Sequence, residues 1–279
     1  MRRGRRAVLY VVFVVWSLLV IFPIYWTVVT SFKTRSDVIN GPTYVPGVDF
    51  KPTLENYGNA YAQQNASKYL INSVVASVVS TAFALAFGSM AAYGLSRFQY
   101  KLRFMRNNDI FMWIVSQRMM PPIVSVLALF ILFHAIGILD TKLALVIAYV
   151  TFNLPIVVWL MRSFVDQVPR TIEEAAQIDG ASHFQVLFRV VLPSVVPGLI
   201  ASFFLSMIFA WNEFLFALVL TFSKAQTMPL LIAFQRTQEA IKWWNISALT
   251  VVMILPVLIM FMFLQRYFVR SQILGWGKE

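Results

Sequence analysis

Six long apolar runs leave this chain few options: residues 7–30, 71–95, 110–133, 143–161, 195–222 and 246–264. About 20 helical residues cross a hydrocarbon core of about 30 Å, and each run is about that long or longer. Lipid offers no water to a bare backbone amide or carbonyl, so each run is expected to be a helix that satisfies its own hydrogen bonds. Composition agrees: 59% of the 279 residues are hydrophobic and 13% are charged, against about 25% charged in soluble domains. The expected fold class is an all-α membrane protein with six transmembrane helices. The third run departs most from a plain span, because it contains Gln117, Arg118 and the Pro121-Pro122 pair.

The net charge of +11 is spread between the runs, as topology signals are, rather than gathered into a patch for nucleic acid. With the N-terminus inside, Lys and Arg on the cytoplasmic side outnumber those outside. The cluster Arg2, Arg3, Arg5 and Arg6 ahead of the first run weighs most, so both termini are expected in the cytoplasm. That cluster also suggests a signal peptide. The apolar stretch behind it exceeds the usual 7–15 residues or so, and Phe22-Pro23-Ile24-Tyr25-Trp26 offers no small-residue cleavage site, so a retained helix is expected. Cysteine is absent, excluding disulfides and thiolate chemistry. Two histidines and no HExxH give no metal site of the usual zinc type. No GxxxxGK[ST] phosphate loop is present, so the chain is not expected to hydrolyse ATP itself.

The richest segment lies between the fourth and fifth runs, on the expected cytoplasmic side. Within residues 165–193, Thr171 and Glu174 fit a capping box that would start a helix near Ile172. Gly180 stands where a left-handed helix end favours glycine. Ser182 and Gln185 repeat the box, and Pro193 is expected to stop the second helix. The first helix is too short to stand alone in water. Its Ile172, Ala175 and Ala176 suit either a knob docked in a partner's groove or a connector packed on its own membrane helices.

Glu174-Ala175-Ala176, three residues, Gly180, nine residues, then Val190-x-Leu192-Pro193 resembles the EAA loop of binding-protein-dependent ABC importer permeases. The surrounding Glu173, Gln177, Ile178, Asp179 and Ala181 look like the carbohydrate-uptake branch that contains the maltose permease subunits. Gly137 to Thr141, Leu154-Pro155 and Trp159 to Phe164 look like the family's third-to-fourth-helix region, and Ala210-Trp211-Asn212-Glu213-Phe214 and Gln265 to Arg270 resemble the fifth helix and tail start of its smaller, six-helix subunits. From Ser271 onward the tail departs from the family pattern.

The resemblance implies a type I ABC importer permease fold in one transmembrane domain, 1–279, with core helices over about 71–264, the coupling loop at 165–193 and a cytoplasmic tail at 265–279. It implies a prokaryotic inner (cell) membrane location. The implied partners are a second homologous permease, two ATP-binding subunits that hold ATP and Mg, an extracytoplasmic solute-binding protein, a sugar substrate and the lipid bilayer. This chain itself would carry no cofactor and no catalytic residue. The implied contact with the ATPase is Glu173, Glu174, Ala175, Ala176, Ile178, Asp179, Gly180, Ala181, Leu192 and Pro193.

Polar residues inside the runs are candidates for the substrate pathway, since a mid-bilayer charge costs about 2.5–3.5 kcal/mol on insertion scales. Glu213, with Asn212 and Trp211, would line a sugar path or outer gate, make a helix-packing contact, or snorkel at a helix end. Arg118, with Gln117, would line the cavity, pair with a partner's acid, or snorkel. Asn153 lies beside Leu154-Pro155, where proline loosens backbone bonding. His134 is read as a boundary residue. The competing class is a secondary transporter or channel, which calls for coupling carboxylates, inverted repeats or a selectivity element. A membrane enzyme would need a nucleophile–base pair or metal motif, and the chain shows neither pattern.

Overall fold

The computed structural model describes residues 2–100, 105–236 and 241–275, and side chains within these except residues 2–5, 7 and 266–275. Its helices are α1 (Arg2–Ser31), α2 (Arg35–Ile39), α3 (Glu55–Ala62), α4 (Ala66–Arg97), α5 (Asn107–Ser116), α6 (Pro122–Ala135), α7 (Lys142–Val165) and α8 (Arg170–Ile178). They continue with α9 (His183–Val186), α10 (Leu192–Ser194), α11 (Val196–Trp211), α12 (Leu215–Leu220), α13 (Met228–Ala233) and α14 (Trp243–Gly275). Among the described residues, β pairing is confined to isolated bridges, Pro46 with Phe50 and Arg236 with Ile241.

Four helices are long and apolar enough to cross a membrane, and the number reaches six if each of two sharply bent helix pairs is one span. The four contain the first, second, fourth and sixth runs. The third run is not one helix. A 3-10 turn at Gln117–Met119 follows α5, and the chain then bends by 91° into α6. Met120 and Pro121 each precede a proline, which disfavours helical backbone, and both are extended, with ψ of 133° and 126°. The fifth run also divides. Its helix α11 ends at Trp211, and α12 begins only after Asn212–Phe214. At about 1.5 Å per residue, the 16 residues of α11 reach only about 24 Å. Helix α14 carries helical backbone through Gly275, and the expected tail's side chains from Arg266 onward lie outside the described residues.

The chain divides into two compact units. One contains Met1–Leu70 and Leu230–Leu258. Within it the polar stretch after α1 folds around Lys33, which is buried with its ammonium over the Trp26 ring, 4.2 Å from the centroid. Asn56 Nδ2 donates to the Ser31 and Lys33 carbonyls at 2.9 and 2.8 Å. Burial pushes the Lys33 pKa below its ordinary value, and the Asp37 and Asp49 charges oppose that shift.

The other unit contains Ile71–Pro229 and Ile259–Glu279. Its core joins Ala76 of α4, Phe133 of α6, Leu145 and Tyr149 of α7 and Phe216 of α12. Small residues set the closest approaches: a Cβ on Gly88 of α4 would lie 2.6 Å from Val157 Cγ1 of α7, and one on Gly198 of α11 would collide with the Phe164 ring. Such contacts let membrane helices pack where apolar side chains gain little by leaving lipid.

Candidate functional site

Helix α8 begins at Arg170, with Pro169 as its N-cap and no side-chain cap. The expected Thr171–Glu174 capping box is therefore absent. The Pro169 ring presets its own φ, −60° here, and the helix starts two residues earlier than the hydroxyl suggested, leaving Thr171 inside the first turn. The other end matches its sequence signal closely. Gly180 takes φ +87°, the Ala181 N–H reaches the Ala176 carbonyl at 3.0 Å, and the Gly180 N–H reaches that of Gln177 at 3.0 Å. That pair of bonds is a Schellman ending. Ser182 and Gln185 form the second capping box as expected. Pro193 does not stop the helix. A π turn over Leu187–Val191, with the Leu192 N–H on the Leu187 carbonyl, carries the chain through α10 to Ser194, and the 82° bend follows at Val195.

Helix α8 has two faces. Ile172 and Ile178 are 48% and 87% exposed, and Glu174 and Ala175 are exposed beside them. Asp179 and Gly180, at its end, are exposed too. Glu173 turns the other way and is only 4% exposed. Ala176 and Ala181 pack against a cluster of Tyr93, Val165, Val186, Leu187 and Val191. Leu192 joins that cluster, whereas Pro193 is exposed.

What holds Glu173 is a set of partners the motif does not contain. Arg97 Nε lies 2.6 Å from Glu173 Oε1, and the Tyr93 hydroxyl donates to Oε2 at 3.2 Å. Arg97 Nη2 also donates to the Val165 and Val168 carbonyls, each at 2.8 Å, and Nη1 to Ser96 Oγ at 2.9 Å. Arg170 Nη2 returns to the Ser96 carbonyl at 3.1 Å. The guanidinium thus ties the end of α4 to the end of α7 and to α8. In the sequence Arg97 is one basic residue among several between the apolar runs. Its signal was a basic residue closing a long span, which says nothing of its partner.

The membrane candidates do not gather into one site. Arg118 donates from Nη1 to the Phe152 carbonyl at 2.8 Å, with its guanidinium 3.8 Å from the Phe152 ring centroid and 4.6 Å from that of Phe209. Asn153 is buried on α7, with Nδ2 3.4 Å from the Ser206 carbonyl and Oδ1 unpaired among the described residues. Trp211 is buried, while Asn212 is exposed and donates to the Ile208 carbonyl at 2.9 Å. The Glu213 carboxylate accepts the Leu215 and Phe216 N–H groups at 3.0 and 2.9 Å, which starts α12. Of the six, Gln117 lines a cavity of 230 Å³, together with Trp113, Ser125, Thr151, Phe152 and Phe216. Leu154 and Pro155 line it too, whereas Trp113, Ser125, Thr151, Phe152 and Phe216 carry no sequence signal, because aromatic and hydroxyl residues are ordinary within apolar runs.

Before α7, Asp140 makes a different kind of clamp. Its carboxylate accepts the N–H groups of Phe222, Ser223, Lys224 and Ala225 at 2.9–3.2 Å. Partial burial raises its pKa, but those four amides outweigh burial and hold it down at about 2. Asn72 of α4 binds the Lys224 and Gln226 carbonyls, and Ser73 Oγ accepts the Met228 N–H at 2.8 Å, fixing the same loop.

Residues 84–273 match the family described as "Binding-protein-dependent transport system inner membrane component". The chain is 33% identical over 275 residues to the trehalose/maltose transport system permease protein MalG of Thermococcus litoralis, covering 97% of this chain and 96% of that one. It is 34% identical over 248 residues to the sulfoquinovosyl glycerol transport system permease protein SmoH of Agrobacterium fabrum, covering 88% and 85%. Its fold matches a chain in the crystal structure of a bacterial ABC transporter involved in import of the acidic polysaccharide alginate, with a TM-score of 0.76, 23% identity and 95% and 97% coverage. With the family matched across the coupling segment and most of the helices, the chain belongs to the binding-protein-dependent ABC importer permeases, as a multi-pass membrane subunit.

Proposed function

We propose that this chain is a permease subunit of an ATP-driven sugar importer of a prokaryotic inner membrane, with both termini cytoplasmic. It forms half of the pathway beside a second homologous permease. Two separate ATP-binding subunits hold ATP and Mg, and a solute-binding protein delivers sugar from outside. The chain itself has no catalytic role.

The observation that carries this reading is the two-faced α8. A short helix with Ile172 and Ile178 in water is costly unless a partner covers it, and Glu173 holds that helix firmly from behind. The exposed Glu174, Ala175 and Ile178 face the groove of an ATP-binding subunit, and ATP-driven closure of two such subunits moves α8. The relatives' names support a carbohydrate or sugar-derivative cargo. The cavity beside Gln117 fits that class: ring faces from Trp113, Phe152 and Phe216, with an amide and two hydroxyls to orient a polyol. Arg118, Asn153, Trp211, Asn212 and Glu213 complete the candidate pathway, with Glu213 also serving the turn into α12.

The test is uptake by proteoliposomes containing the complex purified with its own partners, with trehalose, maltose and a sulfonated glycoside offered as cargo. The reading predicts accumulation of a sugar only with ATP on the cytoplasmic side and binding protein on the other. Uptake driven by an ion gradient without ATP would overturn it in favour of a secondary transporter.

A further inference from the structure

Resting on the importer reading, we propose that Arg97 and Glu173 form a strut that makes α8 move as one body with the cytoplasmic ends of α4 and α7. Arg97 is thereby a positioning residue for energy coupling. The two side chains are 9% and 5% exposed and meet at 2.6 Å. A buried charge in this setting is tolerated only with a close partner. Each group has more than one tie: Glu173 also accepts from Tyr93 of α4, and Arg97 also donates to the carbonyls of Val165 and Val168 at and beyond the end of α7. Glu173, Ser96 Oγ and the two carbonyls all meet one planar guanidinium, a geometry that a lysine ammonium does not reproduce. The face of α8 opposite Glu173 is open, with Ala175 exposed and Ile178 87% exposed. A push on that face reaches α4 through a charge-paired contact rather than through apolar packing alone.

The test uses the complex with its own ATP-binding subunits and binding protein, and reads sugar accumulated per ATP hydrolysed. Glu173→Gln is close in size but removes the charge, and its ratio is expected to fall about tenfold or more. Tyr93→Phe removes one hydrogen bond without changing shape, so about a two- to tenfold fall is expected. Glu173→Asp keeps the carboxylate and is expected to retain more coupling than Glu173→Gln. A purely structural role would lower transport and hydrolysis in proportion, leaving the ratio at the wild-type value in all three variants. That result overturns the strut while leaving the importer reading in place. Absence of ATP-driven uptake in the wild-type complex overturns the importer reading and the strut with it.

Discussion

The two ends of α7 are secured by different chemistry. Ahead of its first turn, the Asp140 carboxylate is filled by backbone N–H groups of residues 222–225. At and just beyond its last turn, carbonyls of Val165 and Val168 are filled by the side chain of Arg97, which also pairs with Glu173. Backbone amides cannot swing away without unfolding their loop, so the Asp140 clamp holds a fixed shape. The Arg97–Glu173 contact joins two side chains on separate helices, and its product is an orientation: Glu173 inward, Ile178 outward. One end is built for stillness, and the other is built to present a surface.

The largest expected effect breaks the presenting end. Glu173→Ala leaves the Arg97 guanidinium buried without its acid and should destabilise the protein by about 3–5 kcal/mol, read as thermal unfolding in detergent. A loss under about 1 kcal/mol would mean the pair is solvated and does not fix the orientation of α8. Next comes Asp140→Asn, which removes a charged acceptor and should cost about 1.5–3 kcal/mol. The sign follows from its depressed pKa. The carboxylate's contribution is complete above its unfolded pKa of about 3.9 and is lost as pH falls through about 2. The Asp140→Asn deficit should therefore be full at neutral pH and shrink across that acid window.

Smaller effects sharpen the comparison within the coupling segment. Gly180→Ala meets no neighbour within 4 Å, so its cost should be the left-handed backbone alone, about 1–2 kcal/mol. Ser182→Ala should cost about 1 kcal/mol, because its hydroxyl caps α9. Thr171→Ala should stay within about 0.5 kcal/mol, since that hydroxyl caps nothing. Equal losses at Ser182 and Thr171 would restore the capping box the structure lacks.

The contrast between those two hydroxyls shows what was legible in the sequence. The Ser182 box and the Gly180 ending were readable because each depends on local backbone and a side chain within a few residues. Unbroken apolar length likewise located the runs contained in α1, α4, α7 and α14, whose bounds extend the expected ones by a few residues at most ends. The breaks were harder. Pro121-Pro122 marked the third run, but proline restricts ψ before it without setting the 91° turn that results. Asn212 and Glu213 read as pathway, packing or helix-end residues of one span, whereas the Glu213 carboxylate accepts the Leu215 and Phe216 N–H groups at the start of α12. Least legible were the long-range partners. Arg97 and Glu173 stand 76 residues apart, and no local pattern links a span-closing arginine to one of two adjacent glutamates.

The central claim is that α8 presents its exposed face to a separate ATP-binding subunit. The direct measurement is affinity capture of this chain from its native membrane, as wild type and as Ile178→Asp, with the bound ATP-binding subunit quantified by mass spectrometry. Ile178 is 87% exposed, so the substitution leaves the fold's own contacts almost untouched. The account predicts an ATP-binding subunit retained by wild type and reduced about tenfold or more by Ile178→Asp, with the chain still in the membrane. Equal retention by both would contradict it.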